Sequence, residues 1–132
     1  MSNRILLVDD DQDIRNIYQR FLTKAGYEVD LASDGQEGLT KILQGGYNLI
    51  LLDIMMPKID GLSILRKLQT MPQPTHYNGP TIMLSVLDKD YFVNEALSLG
   101  AKGYLPKAGL TPQMALSKIS EILKDSSNLH TQ

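Results

Sequence analysis

The chain has 132 residues, 13 basic and 15 acidic, for a net charge of −2 near neutral pH, and it contains no cysteine. That length fits one ordinary domain, able to bury about two thirds of the surface its unfolded form would expose. The composition excludes disulfides, thiolate nucleophiles and cysteine metal sites. No cluster of basic residues offers a nucleic-acid surface, and no apolar run approaches the roughly 20 residues of a membrane span, so a cytoplasmic domain touching neither nucleic acid nor membrane is expected.

Ile5 to Val8 is an apolar run that ends on Asp9, Asp10 and Asp11, the pattern of a strand buried on both faces that surfaces in carboxylates. Ile14, Ile17, Tyr18, Phe21, Leu22 and Ala25 then recur at helical spacing, and Gly26 stops them. Tyr27 to Ala32 reads as a second strand. Ser33-Asp34-Gly35 opens a helix with Leu39, Ile42 and Leu43 inward and Gly45-Gly46 as its stop. Gly38 in its interior weakens that helix by about 1 kcal/mol relative to alanine.

Leu49 to Leu52 repeats the first design: a buried apolar run ends abruptly on Asp53, and a loop bearing Pro57 and Gly61 follows. Leu62, Leu65 and Leu68 mark a third helix from Gly61 to Thr70. Met71 to Gly79 exceeds the about two to six residues usual for such connections and reads as a spacer at the end of the sheet remote from Asp53. Thr81 to Leu84 is a fourth strand ending on Ser85, and a helix from Asp88 or Lys89 to Leu99 is closed by Gly100. Lys102 to Leu105 is a short fifth strand followed by Pro106-Lys107. Thr111 as N-cap and Pro112 at the first helical position open the last helix, with Ala115, Ile119, Ile122 and Leu123 on one face. The domain is expected to occupy residues 1–125, with 126–132 a polar tail or the start of a linker.

Five strands, most of them continuous apolar runs, alternating with five helical patterns imply right-handed crossovers and a doubly wound parallel α/β sheet with helices on both faces. In such sheets ligands collect outside the carboxyl ends of the strands. Asp9, Asp10, Asp53, Ser85 and Lys107 all fall there. Three crowded carboxylates repel one another, so either one stays protonated or a cation joins them. Oxygen donors with no histidine or cysteine nearby select Mg²⁺ or Mn²⁺. Asp53 is then a candidate phosphoryl acceptor, with Lys107 and Ser85 meeting phosphoryl oxygens. Singly, these residues read more simply: an aspartate after a strand is often a helix cap, the role left to Asp11, while Ser85 is a turn hydroxyl and Lys107 a solvated charge. The set carries the argument, and it requires Asp53 to be open to solvent and within a metal's reach of the pair at 9 and 10.

Val8-Asp9-Asp10, the run Asp53-Ile54-Met55-Met56-Pro57-Lys58-Ile59-Asp60-Gly61, Ser85 and Lys107 together resemble the receiver domain of two-component response regulators, the CheY-like superfamily, from Arg4 to about Leu123. The resemblance implies a flavodoxin-like fold with strand order 2-1-3-4-5. It implies phosphoryl transfer to Asp53 from a histidine kinase or phosphotransfer protein, in a signalling switch that catalyses only its own phosphorylation and dephosphorylation. Mg²⁺ would be held by Asp10, Asp53 and the backbone carbonyl of Met55, with Asp9 acting through water. Ser85 and Tyr104 would form a hydroxyl–aromatic switch. The fourth helix, fifth strand and fifth helix would be the surface read by a downstream effector domain or protein; Tyr91, Val93 and Leu97 there leave apolar surface suited to docking or a homodimer.

Two departures from the family pattern carry their own expectations. The family's lysine is commonly followed by proline in a cis peptide, whereas Ala108 follows Lys107, so the loop is expected to be either strained or differently shaped. The positions two after Asp53 and two after Ser85 are Met55 and Leu87, neither able to orient a hydrolytic water, so a long-lived phosphoryl group is expected. Two rival chemistries fit less well. A phosphatase of the haloacid-dehalogenase type wants Asp-x-Asp on the first strand, and an FMN module wants a Ser/Thr/Gly-rich loop there, where three acids would repel the phosphate.

Overall fold

The computed structural model describes residues 3–74, 76–85 and 90–130, with only the backbone of Ser85, Asp90 and 126–130. Ten elements alternate without exception: β1 (Arg4–Val8), α1 (Gln12–Lys24), β2 (Glu28–Ala32), α2 (Gly35–Gln44), β3 (Leu49–Asp53), α3 (Gly61–Thr70), β4 (Thr81–Ser85), α4 (Asp90–Ser98), β5 (Gly103–Pro106) and α5 (Pro112–His130). The five strands are parallel in the order β2-β1-β3-β4-β5, the flavodoxin-like topology expected. Val8 pairs with Leu52 and Asp53 with Leu84, so the ends of the two central strands lie side by side.

Strand alternation divides the core into two layers. Leu6, Val8, Ile50, Leu52 and Met83 pack beneath Leu39 and Ile42 of α2, Leu62 and Leu65 of α3, and Ala96 of α4. Ile5, Leu7, Leu49, Leu51 and Leu84 face the other way, against Leu22 of α1 and Ile119 and Leu123 of α5. All five residues of β3 are buried, which is why its sequence is a continuous apolar run rather than an alternating one. Each such Leu or Ile stabilises the fold by roughly 1.5–3 kcal/mol.

Aspartates set three helix starts. Asp11, Asp34 and Asp60 sit in extended backbone and accept from amides in the first turns of α1, α2 and α3. Gly38 explains itself in three dimensions: a Cβ there would lie 2.6 Å from Val8 Cγ1, so the missing side chain lets α2 lie directly on β1. The stretch before β4 is tied down at the opposite end of the sheet from Asp53. Asn78 accepts from the Tyr47 amide at 3.1 Å and donates to the Ile42 carbonyl at 2.9 Å, and the Gly79 amide donates to the Tyr47 carbonyl at 2.7 Å. It is placed as the spacer reading requires.

Two differences from the sequence reading stand out. The polar tail expected after residue 125 is helical, since α5 runs to His130. Once a helix is nucleated each further residue adds a hydrogen bond, and residues 126–130 contain no glycine or proline to stop it. The expected start of the fourth helix, at Asp88 or Lys89, lies outside the described residues, as does Leu87; α4 is described from Asp90. Among the described residues no helix is long and apolar enough to cross a membrane.

Candidate functional site

The side-by-side ends of β1 and β3 bring two acidic segments together. Asp9 is fully buried, Asp53 is 2% exposed, and Asp10 is exposed. A carboxylate oxygen from each of the three can be chosen so that all lie within 4.8 Å of one another. Asp9 is fixed from several directions: its amide donates to the Ala32 carbonyl at 3.1 Å, and its Oδ1 accepts from the Asp11 amide at 2.9 Å. Asp53 Oδ1 accepts from the Met55 amide at 3.2 Å. Gly61 closes the loop after β3, its amide donating to the Ile54 carbonyl at 2.9 Å, and a Cβ there would strike the Asp53 carbonyl oxygen at 2.2 Å.

Lys107, just past the end of β5, reaches into this cluster. Its Nζ donates to Asp53 Oδ2 at 2.9 Å and lies 2.7 Å from Asp9 Oδ2. The second contact is an ion pair whose direction is poor for hydrogen bonding, so the buried Asp9 Oδ2 accepts no hydrogen bond. No described peptide bond is cis, and the loop through Ala108 nonetheless delivers the lysine to both carboxylates. Burial pushes the Asp53 carboxyl up to about 7; the hydrogen bond from Lys107 pulls against this, and the Asp9 charge adds to it. Burial also pulls the Lys107 ammonium down, but Asp9 and Asp53 together outweigh it and the net shift is upward.

The family model of the response regulator receiver domain matches residues 5–119. The chain belongs to the response regulator receiver domain family. Among its relatives, the transcriptional regulatory protein DltR of Streptococcus agalactiae is 42% identical over 79% of this chain and 45% of that protein. The alkaline phosphatase synthesis transcriptional regulatory protein PhoP of Bacillus subtilis is 35% identical over 96% of the chain and 50% of that protein. The chain thus spans about half the length of these regulators. The chemotaxis protein CheY of Treponema pallidum is 37% identical over 92% of the chain and 83% of that protein. In structure, a CheY-like receiver domain from Methanospirillum hungatei superposes with a TM-score of 0.84 at 32% identity, covering 97% of this chain and 98% of the other.

The donor set of this receiver domain fits a hard divalent cation. Three carboxylates converge with no nitrogen or sulfur ligand among them, and one buried oxygen lacks a hydrogen bond. The other sequence-predicted residues are placed less decisively. Met55 lies two residues past the end of β3 and is 54% exposed. Ser85 ends β4 paired with Pro106, and its side chain lies outside the described residues. Tyr104 on β5 is 45% exposed, its ring outside the core. Of the two conditions set for Asp53, the reach to the pair at 9 and 10 is met, but openness to solvent is not: the Asp53 side chain is 3% accessible, because Lys107 and Asp9 crowd it.

Sequence reading missed two neighbours. Arg15, one turn into α1, donates from Nη1 to the Asp9 carbonyl at 2.7 Å. Tyr18 is close enough for its phenol to be pushed up, chiefly by burial and then by the Asp9 charge, against the opposing pull of Lys107. Tyr18 was hidden inside the apolar stripe of its helix; Arg15 had only its place four residues after the cap Asp11 as a signal.

Proposed function

We propose that this receiver domain is a phosphoacceptor: a carboxylate oxygen of Asp53 takes a phosphoryl group from a histidine kinase or phosphotransfer protein, and the modified domain is read by a partner. The observation that carries this reading is the meeting of Asp9, Asp10 and Asp53 around one point, with Lys107 bridging two of them. Asp53 would attack phosphorus as its anion; the P–N bond of the phosphohistidine breaks as the new P–O bond forms, and the departing imidazole takes a proton from solvent. Asp10, Asp53 and the Met55 carbonyl would hold Mg²⁺, or Mn²⁺, with Asp9 acting through water. The bound cation supplies neutralisation of charge on the transferring group. Lys107 leaves Asp53 Oδ2 to pair with a phosphoryl oxygen, which also uncovers the acceptor, and Ser85 donates to another.

The added charge of nearly two units biases a two-state surface, with Ser85 and Tyr104 as the switch pair. The exposure of Tyr104 on β5 supports that role, since its ring is not locked in the core. The output face is α4, β5 and α5, where Tyr91 and Leu97 are exposed, and its reader is an effector domain, a separate protein or a second copy. A kinase-linked receiver of this kind works in the cytoplasm.

Incubation with acetyl phosphate and Mg²⁺, followed by intact mass measurement, tests the reading. One added phosphoryl group, lost in Asp53→Asn, is expected. An unmodified mass, or undiminished uptake by the variant, contradicts it.

A further inference from the structure

Asp10 contributes the one exposed carboxylate of the acidic trio, yet that carboxylate accepts no hydrogen bond among the described residues. Its placement depends on the backbone before it. The carbonyl of Asp9 and the Cα of Asp10 belong to one peptide plane, so whatever fixes that oxygen fixes the direction in which Asp10 leaves the strand. β1 ends at Val8, and the sheet provides no partner for this carbonyl. Arg15 provides it, with a short charge-assisted bond of 2.7 Å from Nη1. Arg15 is itself anchored, its amide donating to the Asp11 carbonyl at 3.0 Å in the first turn of a helix capped by Asp11.

From this we infer that Arg15 is a positioning residue for the cation site: its guanidinium clamps the Asp9–Asp10 peptide and thereby aims the Asp10 carboxylate at the point where the three acids meet. The inference rests on the phosphoacceptor reading. It also makes a counter-intuitive demand. By charge alone, removing a cation near three carboxylates tightens binding of a divalent ion; if Arg15 acts by position, removing it loosens binding.

The test is binding of Mn²⁺ alone, followed by the electron paramagnetic resonance of the free ion, to wild type, Arg15→Ala, Arg15→Met and Arg15→Lys. Arg15→Met keeps the packing of the aliphatic stem should the alanine variant fold poorly, as judged by thermal unfolding in EDTA. The alanine and methionine variants are expected to bind about 10-fold more weakly, and lysine, which retains one donor, to recover part of the loss. Exchange of the Asp11 amide, which donates to Asp9 Oδ1, should accelerate in the methionine variant while exchange in β3 is unchanged, a local signature that general destabilisation would not give. Binding by a folded Ala or Met variant as tight as wild type, or tighter, overturns the inference. Failure of wild type itself to bind Mn²⁺ overturns the cation site and this inference with it.

Discussion

As the proposed phosphoacceptor, Asp53 is under two opposed demands, since it would have to be ionised to attack phosphorus and yet it is almost wholly buried. Its carboxyl, pushed from 3.8 to about 7, keeps a proton in the folded protein that the unfolded chain has already released. Between those values the folded state binds more protons, so stability from this group is fully present below about pH 3.8 and is lost as pH rises through about 7. Asp53→Asn is neutral at every pH. In EDTA it should raise the melting temperature relative to wild type at pH 8 and do so far less at pH 5; equal gains at both would contradict the shift. Lys107 shows the complementary dependence. Lys107→Met leaves two buried carboxylates unpaired and should destabilise by on the order of 3 kcal/mol at pH 8, less at pH 5 where a protonated Asp53 removes one charge; urea unfolding at the two pH values measures this. Met55 bears on lifetime: its exposed thioether cannot orient a hydrolytic water, so the phosphoryl group should persist for minutes or longer after the donor is removed. Decay within seconds, followed by intact mass, would count against that.

The elements were largely legible because the strands β1, β3 and β4 carry apolar runs with no alternation, and because Asp11, Asp34 and Asp60 announce helix starts in local chemistry. What resisted reading depends on contacts distant in sequence or on weak local preference. Gly38 looked like a flaw of about 1 kcal/mol in α2, and only the packing of Val8 reveals its purpose. Gly38→Ala sets these effects against each other: the gain in helix propensity is about 1 kcal/mol, whereas a methyl group 2.6 Å from Cγ1 of the fully buried Val8 forces overpacking worth typically 1–3 kcal/mol. Net destabilisation is expected in urea unfolding, and a more stable variant would show that α2 can lift off β1 freely. The end of α5 escaped prediction for a different reason. Residues 126–130 have modest helix preference, so their conformation follows from the helix already formed before them.

At the scale of the molecule, topology makes the site. The order β2-β1-β3-β4-β5 places β1 and β3 adjacent at the centre, so Asp9 and Asp10 meet Asp53 across 44 and 43 residues of sequence, and Lys107 reaches both from beyond the edge strand β5. This convergence could be anticipated because carboxylates, hydroxyl and amine all followed apolar runs in one direction of a parallel sheet. The closeness of Lys107 to two carboxylates at once could not, since it depends on how the loop after β5 folds inward. Mapping the phosphoryl group by peptide mass after exposure to acetyl phosphate, with Mg²⁺ and with EDTA, probes the whole arrangement at once. Modification confined to the peptide containing Asp53, present with Mg²⁺ and abolished by EDTA or by Asp10→Asn, is the predicted result; modification elsewhere, or equal modification without a divalent cation, would contradict it.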